Sequence, residues 1–249
     1  VRAPEPQTET KQAANNQKAF SIDPSIGRFS VREMEILLQE LEEFEPVIFV
    51  NSLKNRDDLV YRDIEYLAKK MPGLKFVLTQ VMWGTFCKVQ DLLHRCNNVY
   101  IDISFLHMRD TLEFIRDEFG IERMLFGIGY KSHYGSAIAT LAQSSLNEQE
   151  KQAIAHKNLE NLLNIAPLQA KLAKAPAILA EKPVWQAFSQ GTKLSGFTTF
   201  DAHSHTGPFA RGWFLRDLAN LDTQLQNILN HMDKVGVEKI AMIGESALF

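Results

Sequence analysis

Five short apolar runs recur along the first half of the chain, each followed by a stretch with helical periodicity. They occupy residues 18–22, 46–50, 75–78, 99–103 and 124–126. Their starts are spaced by about one strand, one helix and two loops. Their apolar residues are continuous rather than alternating, as expected of parallel strands covered on both faces. A repeated βα unit of this size predicts either a (β/α)₈ barrel or a doubly wound sheet. No G-x-G-x-x-G follows any of the runs, which argues against a dinucleotide-binding sheet.

The helices between the runs carry their own signals. Ser30-Val31-Arg32-Glu33 has the form of a capping box, and Met34, Leu37, Leu38, Leu41 and Phe44 behind it follow one buried stripe. Val60, Ile64, Leu67 and Met71 form a second stripe that stops at Pro72-Gly73. Met108, Leu112, Ile115 and Phe119 form a third, closed by Gly120 as a left-handed cap. Asn147 to Glu150 open a further helix with Ala155, Leu159, Leu162 and Leu163 inside. Residues 1–17 are a polar tail, and residues 166–196, with Pro167, Pro176 and Pro183, read as a linker with one or two short helices. The rhythm then resumes over residues 197–249, with strands at 198–203 and 239–243 around a helix at 222–235.

Composition narrows the function classes. A net charge of −3 gives no reason to expect nucleic acid or an anionic membrane as partner. No apolar run approaches the length of a membrane span, and no signal peptide is visible. Two cysteines, Cys87 and Cys96, make neither a disulfide framework nor a zinc ribbon and fit a reducing, cytoplasmic compartment. The partner expected is a small-molecule substrate, and a homo-oligomer is compatible with the composition. The chain opens on Val1 and stops at Phe249 just after a strand-like run, so a fragment of a longer protein is expected.

The strongest chemical signal is Asp201-Ala202-His203-Ser204-His205. Strand side chains alternate with period two, so Asp201, His203 and His205 are predicted to face one way. Two neutral imidazoles at a strand end make half of a divalent metal site.

Together with its flanks this segment resembles the amidohydrolase superfamily, in its amidohydrolase-related (amidohydrolase-2) branch of metal-dependent hydrolases. Residues 200–207 resemble that family's first-strand D-x-H-x-H, and residues 232–239, Met-Asp-Lys-Val-Gly-Val-Glu-Lys, resemble the run into its second strand. Residues 122–129, Glu-Arg-Met-Leu-Phe-Gly-Ile-Gly, are similar to the last-strand "ER-x-LFGSD". Residues 72–78, 98–104 and 158–163 resemble the sixth strand, the seventh strand and the closing helix. The order is inverted: residues 18–165 look like the second half of one barrel and 197–249 like the start of a barrel. The resemblance thus implies an incomplete or permuted (β/α)₈ TIM-barrel-type fold, and a tandem fragment is favoured over a permutation.

The resemblance implies a divalent metal, zinc foremost, with His203 and His205 among its ligands and a bound water activated for attack. It also shows what is missing. At the positions of the family's other ligands stand Asn51, Gln80 and Gly129. Neutral amides are poor zinc ligands and glycine offers no side chain, so tightly bound metal is not expected in this chain. Asn51, Gln80 and Asp102 are then candidates to line a substrate pocket, since strand carboxyl ends form the active face of a barrel. His133, in the loop after the last apolar run, is the weak candidate to replace the lost acid–base group. His94, His107, His156 and His231 read as structural or solvated, and Trp83, Trp185 and Trp213 as core. Two functions follow. One is a metal-dependent hydrolase or non-oxidative decarboxylase of a small organic substrate in the intact protein. The other is a catalytically degenerate barrel acting as scaffold, subunit or small-molecule binding module.

Overall fold

A computed structural model describes residues 17–27, 29–52, 59–108, 110–129, 134–167, 177–194, 196–206 and 221–244. The chain divides into two compact units, Val1–Leu168 and Gln169–Phe249. Residues 1–16 and the side chains of His133 and Trp213 lie outside the described residues.

Unit 1 is a five-stranded parallel sheet in which β1 (Ala19–Ile22), β2 (Val47–Asn51), β3 (Lys75–Thr79), β4 (Val99–Asp102) and β5 (Met124–Leu125) are neighbours in chain order. A doubly wound sheet reverses its strand order at a switch point, whereas a barrel winds in one direction. The unbroken order is therefore barrel-type. Helices α1 (Glu35–Leu41), α2 (Leu59–Lys70), α3 (Phe86–Arg95) and α4 (Thr111–Phe119) connect the strands. Then follow α5 (Tyr134–Gln143), α6 (Glu148–Gln152), a wide π-turn (Ala153–Lys157) and α7 (Asn158–Leu163).

Both faces of the sheet are apolar, which is why the strands read as continuous hydrophobic runs. Ile48, Val50, Phe76, Leu78, Val99, Ile101 and Met124 belong to the larger core, shared with helix residues such as Leu38, Ile64, Leu67, Leu92 and Ile115. Val47, Val77 and Leu125 form a second core with Phe49, Tyr100 and the closing-helix leucines Leu159, Leu162 and Leu163. Lys18 Nζ donates to the Asn164 carbonyl at 2.6 Å, tying the start of β1 to the end of α7.

The last strand is shorter than the apolar run 124–126 predicts. Phe126 N–H leaves the sheet and donates to the Ile154 carbonyl at 3.0 Å, inside the π-turn. Gly120 ends α4 as expected, but at φ 94°, ψ 150°, an extended positive-φ conformation rather than the left-handed helical one.

The helix ends are held by polar side chains that arrive one βα unit later. Asn98 Nδ2, just before β4, donates to the carbonyls of Ala68 (3.1 Å), Met71 (3.3 Å) and Leu74 (2.8 Å) at the end of α2. Arg123, just before β5 and only 7% exposed, donates to Val99 O and Cys96 O at 2.7 Å and Leu93 O at 3.4 Å. Asn158 donates to Ile121 O at 2.9 Å and Met124 O at 2.8 Å.

Unit 2 holds two short helices, α8 (Ala177–Ala180) and α9 (Pro183–Gln190), then β6 (Phe200–Thr206), α10 (Leu221–Val235) and β7 (Lys239–Gly244). The two strands are parallel, so β6, α10 and β7 make one βαβ unit. Gly236 follows α10 at φ 80°, and a Cβ there would stand 3.1 Å from the Leu194 carbonyl, so this position needs glycine twice over.

Asn98→Ala removes the donor from three carbonyls at once, and leaving buried acceptors unpaired is costly. The expected loss is about 2–3 kcal/mol of unfolding free energy with the denaturant slope unchanged. Urea titration followed by circular dichroism measures it, and a loss under about 0.5 kcal/mol would remove Asn98 from this role.

Candidate functional site

The carboxyl ends of the five strands gather most of the predicted positions. Each apolar run ends where the strand leaves the core, and the first polar residue there points to the open end of the sheet. Asp23 follows β1, Asn51 ends β2, Gln80 follows β3, Asp102 ends β4, and Gly127 and Gly129 follow β5.

Asn51 Nδ2 donates to Asp23 Oδ2 at 2.9 Å, so the amide is anchored to a neighbouring carboxylate. Ser52 seals the step beyond it, donating through Oγ to the Thr79 carbonyl at 2.8 Å. Gln80 is held at φ 60°, a left-handed conformation that a residue with a side chain adopts only at a cost. Its backbone N–H donates to Asp102 Oδ1 at 2.9 Å, while its side-chain Oε1 is buried and has no hydrogen-bond partner among the described residues.

Asp102 is 7% exposed. Its Oδ1 also accepts from Ser104 Oγ at 2.8 Å and, more weakly, from Ser104 N–H at 3.4 Å. All of these donors are neutral. Burial therefore dominates, and the carboxyl's pKa is pushed up to about 6 despite the three hydrogen bonds that favour its charge. Gly127 allows this packing, since a Cβ there would stand 2.7 Å from Asp102 Oδ2.

Gly129 is closed to the family's acidic residue on two counts. It sits at φ 59°, and a Cβ would stand 2.5 Å from Phe105 Cε2, where the ring already lies. Among the described residues no group of three His, Cys, Asp or Glu side chains could hold a metal ion. An amide bonded to a carboxylate at Asn51, an amide at Gln80 and a glycine closed off by Phe105 at 129 are a poor donor set for a divalent metal.

In unit 2 the strand pairing is irregular within the predicted histidine motif. The register pairs Asp201 with Ile240 and Ser204 with Met242, so three residues of β6 span two of β7. A β-bulge therefore lies between Asp201 and Ser204, and beyond it the backbone of His205 pairs with Ile243. Asp201 Oδ1 accepts the His203 N–H at 3.0 Å, and His203 is exposed. The side chain of His205 and all of His133 lie outside the described residues.

Two of the remaining histidines contact neighbouring side chains. His94 meets the Phe119 ring edge-on at 4.6 Å. His156 Nε2 pairs with Gln152 Oε1 at 2.9 Å, and its Nδ1 lies 3.0 Å from Glu160 Oε2 outside hydrogen-bond geometry. Asp23 and Ser104 complete the strand-end network. Asp23 had a sequence signal, a carboxylate ending an apolar run just as Asn51 does, and the hydroxyl of Ser104 stands two residues past Asp102.

Comparison with known proteins supports the fold. No family model matches the chain, and no curated protein matches it. Among solved structures, an inferred amidohydrolase from Staphylococcus aureus superposes with a TM-score of 0.50 at 16% identity, over 63% of this chain and 68% of that one. 5-Carboxyvanillate decarboxylase LigW from Sphingomonas paucimobilis gives a TM-score of 0.49 at 11% identity, over 64% of this chain and 62% of that one. An uncharacterized TIM-barrel protein from Bordetella bronchiseptica gives 0.45 at 21%, over 54% and 51%. The chain thus spans about half to two thirds of the length of the structures it resembles.

The raised pKa of Asp102 has a signed consequence for stability. An unfolded aspartate titrates near pH 4, so between about pH 4 and 6 the folded chain holds a proton that the unfolded chain has lost. The contribution is fully present below pH 4 and lost as pH rises through 6, about 2–3 kcal/mol in all. Denaturation of wild type and Asp102→Asn from pH 4 to 7.5 isolates it: the wild type should weaken relative to the variant across that window, and parallel curves would contradict the assignment. Unit 1, with its unbroken parallel order and its likeness to the amidohydrolase structure, has the fold of a (β/α) barrel that is incomplete in this chain.

Proposed function

We propose that this chain is of the amidohydrolase-related type. In this reading the complete barrel is a metal-dependent hydrolase or non-oxidative decarboxylase of a small organic substrate. His203 and His205 are the residues of this chain that serve as ligands to a divalent cation, zinc foremost, with the remaining ligands supplied from outside unit 1. Unit 1 contributes a metal-free strand-end face, lined by Asn51, Gln80 and Asp102, that contacts a small molecule. The observation that carries this division is the bond between Asn51 and Asp23 together with the closure of Gly129 by Phe105. The ligand positions are refitted with hydrogen bonds and packing rather than left vacant.

A second reading, in which unit 1 is a degenerate scaffold or binding module with no share in catalysis, draws on the same bond. The domain division proposed is a polar tail over 1–17, the barrel half over 18–165, a linker over 166–196 and the opening strands over 197–249. The two free thiols, Cys87 and Cys96, support a reducing, cytoplasmic setting. Among the described residues no helix is long and apolar enough to cross a membrane.

Metal analysis of the purified chain tests the division. Well below one equivalent of zinc or manganese is expected after dialysis, unchanged by Asn51→Ala or Gln80→Ala. One equivalent lost in either variant would place a metal in unit 1 and overturn it. One equivalent lost only in His203→Ala would show that unit 2 supplies a full site by itself.

A further inference from the structure

Three irregularities converge at the carboxyl ends of β3 and β4. Gln80 holds a left-handed backbone that glycine would adopt more easily. Its Oε1 is buried without a donor among the described residues. Asp102, its hydrogen-bond neighbour, is buried with three donors on Oδ1, while Oδ2 accepts no hydrogen bond from the described residues.

Buried acceptors are ordinarily paired, and a strained backbone persists where the surroundings require it. Here the strained residue donates its own N–H to the carboxyl, so the strain and the orphaned Oε1 belong to one arrangement. Gln80 Oε1 lacks an N–H or O–H donor among the described residues, and Asp102 Oδ2 is left open to one. The charge balance narrows the donor further. The groups acting on Asp102 are the neutral donors of Gln80 and Ser104, and no charged side chain among the described residues offsets the carboxylate. A buried carboxylate without a countercharge favours a cation that also carries hydrogen-bond donors.

We propose that Asp102 and Gln80 form a recognition point for a small amidinium- or guanidinium-bearing molecule at the strand-end face of unit 1. This rests on the reading of that face as a ligand surface, and it commits the face to cationic N–H donors rather than to carboxylates. Ser104 and the Gln80 N–H position the carboxyl by fixing Oδ1, which leaves Oδ2 for the ligand. Glycine at 127 lets the carboxyl lie against β5.

Acetamidinium chloride is the probe, titrated into the full-length chain with EDTA present and sodium chloride matched for ionic strength. The readout is the amide NMR signals of Gln80 and Ser104, which sit on Asp102 Oδ1. Saturable shifts are expected at pH 7.5 and weaker binding at pH 5, where Asp102 is protonated. Asp102→Asn, which keeps an acceptor for Gln80 and Ser104, should bind about tenfold more weakly or worse. Gln80→Gly should also weaken binding while leaving the fold at least as stable, because glycine accepts the positive φ. Shifts that do not saturate, equal affinity in Asp102→Asn, or equal binding of sodium acetate would each overturn the proposal. Because the titration is metal-free, its failure leaves the metal reading of unit 2 standing, and metal analysis decides that separately.

Discussion

The architecture of unit 1 depends on how its helix ends are satisfied. A parallel βα repeat leaves free carbonyls wherever a helix stops against the amino end of the sheet. Here three such sets meet a side chain from the next repeat: Asn98 for α2, Arg123 for α3, Asn158 for the turn after α4. These bonds couple neighbouring βα repeats at the amino edge of the sheet. They also explain how Arg123 is tolerated inside the protein. Its charge is spread over three carbonyls near a helix terminus, where the helix dipole is negative. With the amino edge fixed this way, the opposite edge can carry strain and buried polarity.

That opposite edge is where the chain departs from a metal-binding barrel. Amide and carboxyl side chains at the strand ends need hydrogen-bond partners. Asn51 finds Asp23, and Asp102 collects Gln80 and Ser104. Phe105 occupies the space over Gly129, so an acid cannot be restored there by one substitution. The network is internally consistent without a cation, apart from the acceptors around Gln80 and Asp102.

Strand positions are legible in the sequence because both sheet faces are apolar, so each strand is a bounded hydrophobic run. Helix stripes are legible for the same reason. What local pattern leaves hidden is set by distant partners. The Ile154 carbonyl, inside the π-turn at Ala153–Lys157, receives Phe126 N–H from another element. The bulge between Asp201 and Ser204 is a property of pairing with β7, and alternation within β6 alone does not show it. The amides at Asn51 and Gln80 are visible as departures from a ligand pattern. That Asn51 is bonded to Asp23, and that Gln80 is left-handed, follow only from the folded chain.

The central claim is that the strand ends of unit 1 are a metal-free polar face. The most direct measurement is anomalous diffraction from crystals of the chain grown with manganese. No anomalous peak is expected within coordination distance of Asn51, Gln80 or Asp102, and the Asn51–Asp23 bond should persist unchanged. A peak there, with Asn51 turned away from Asp23 to meet it, would contradict the account.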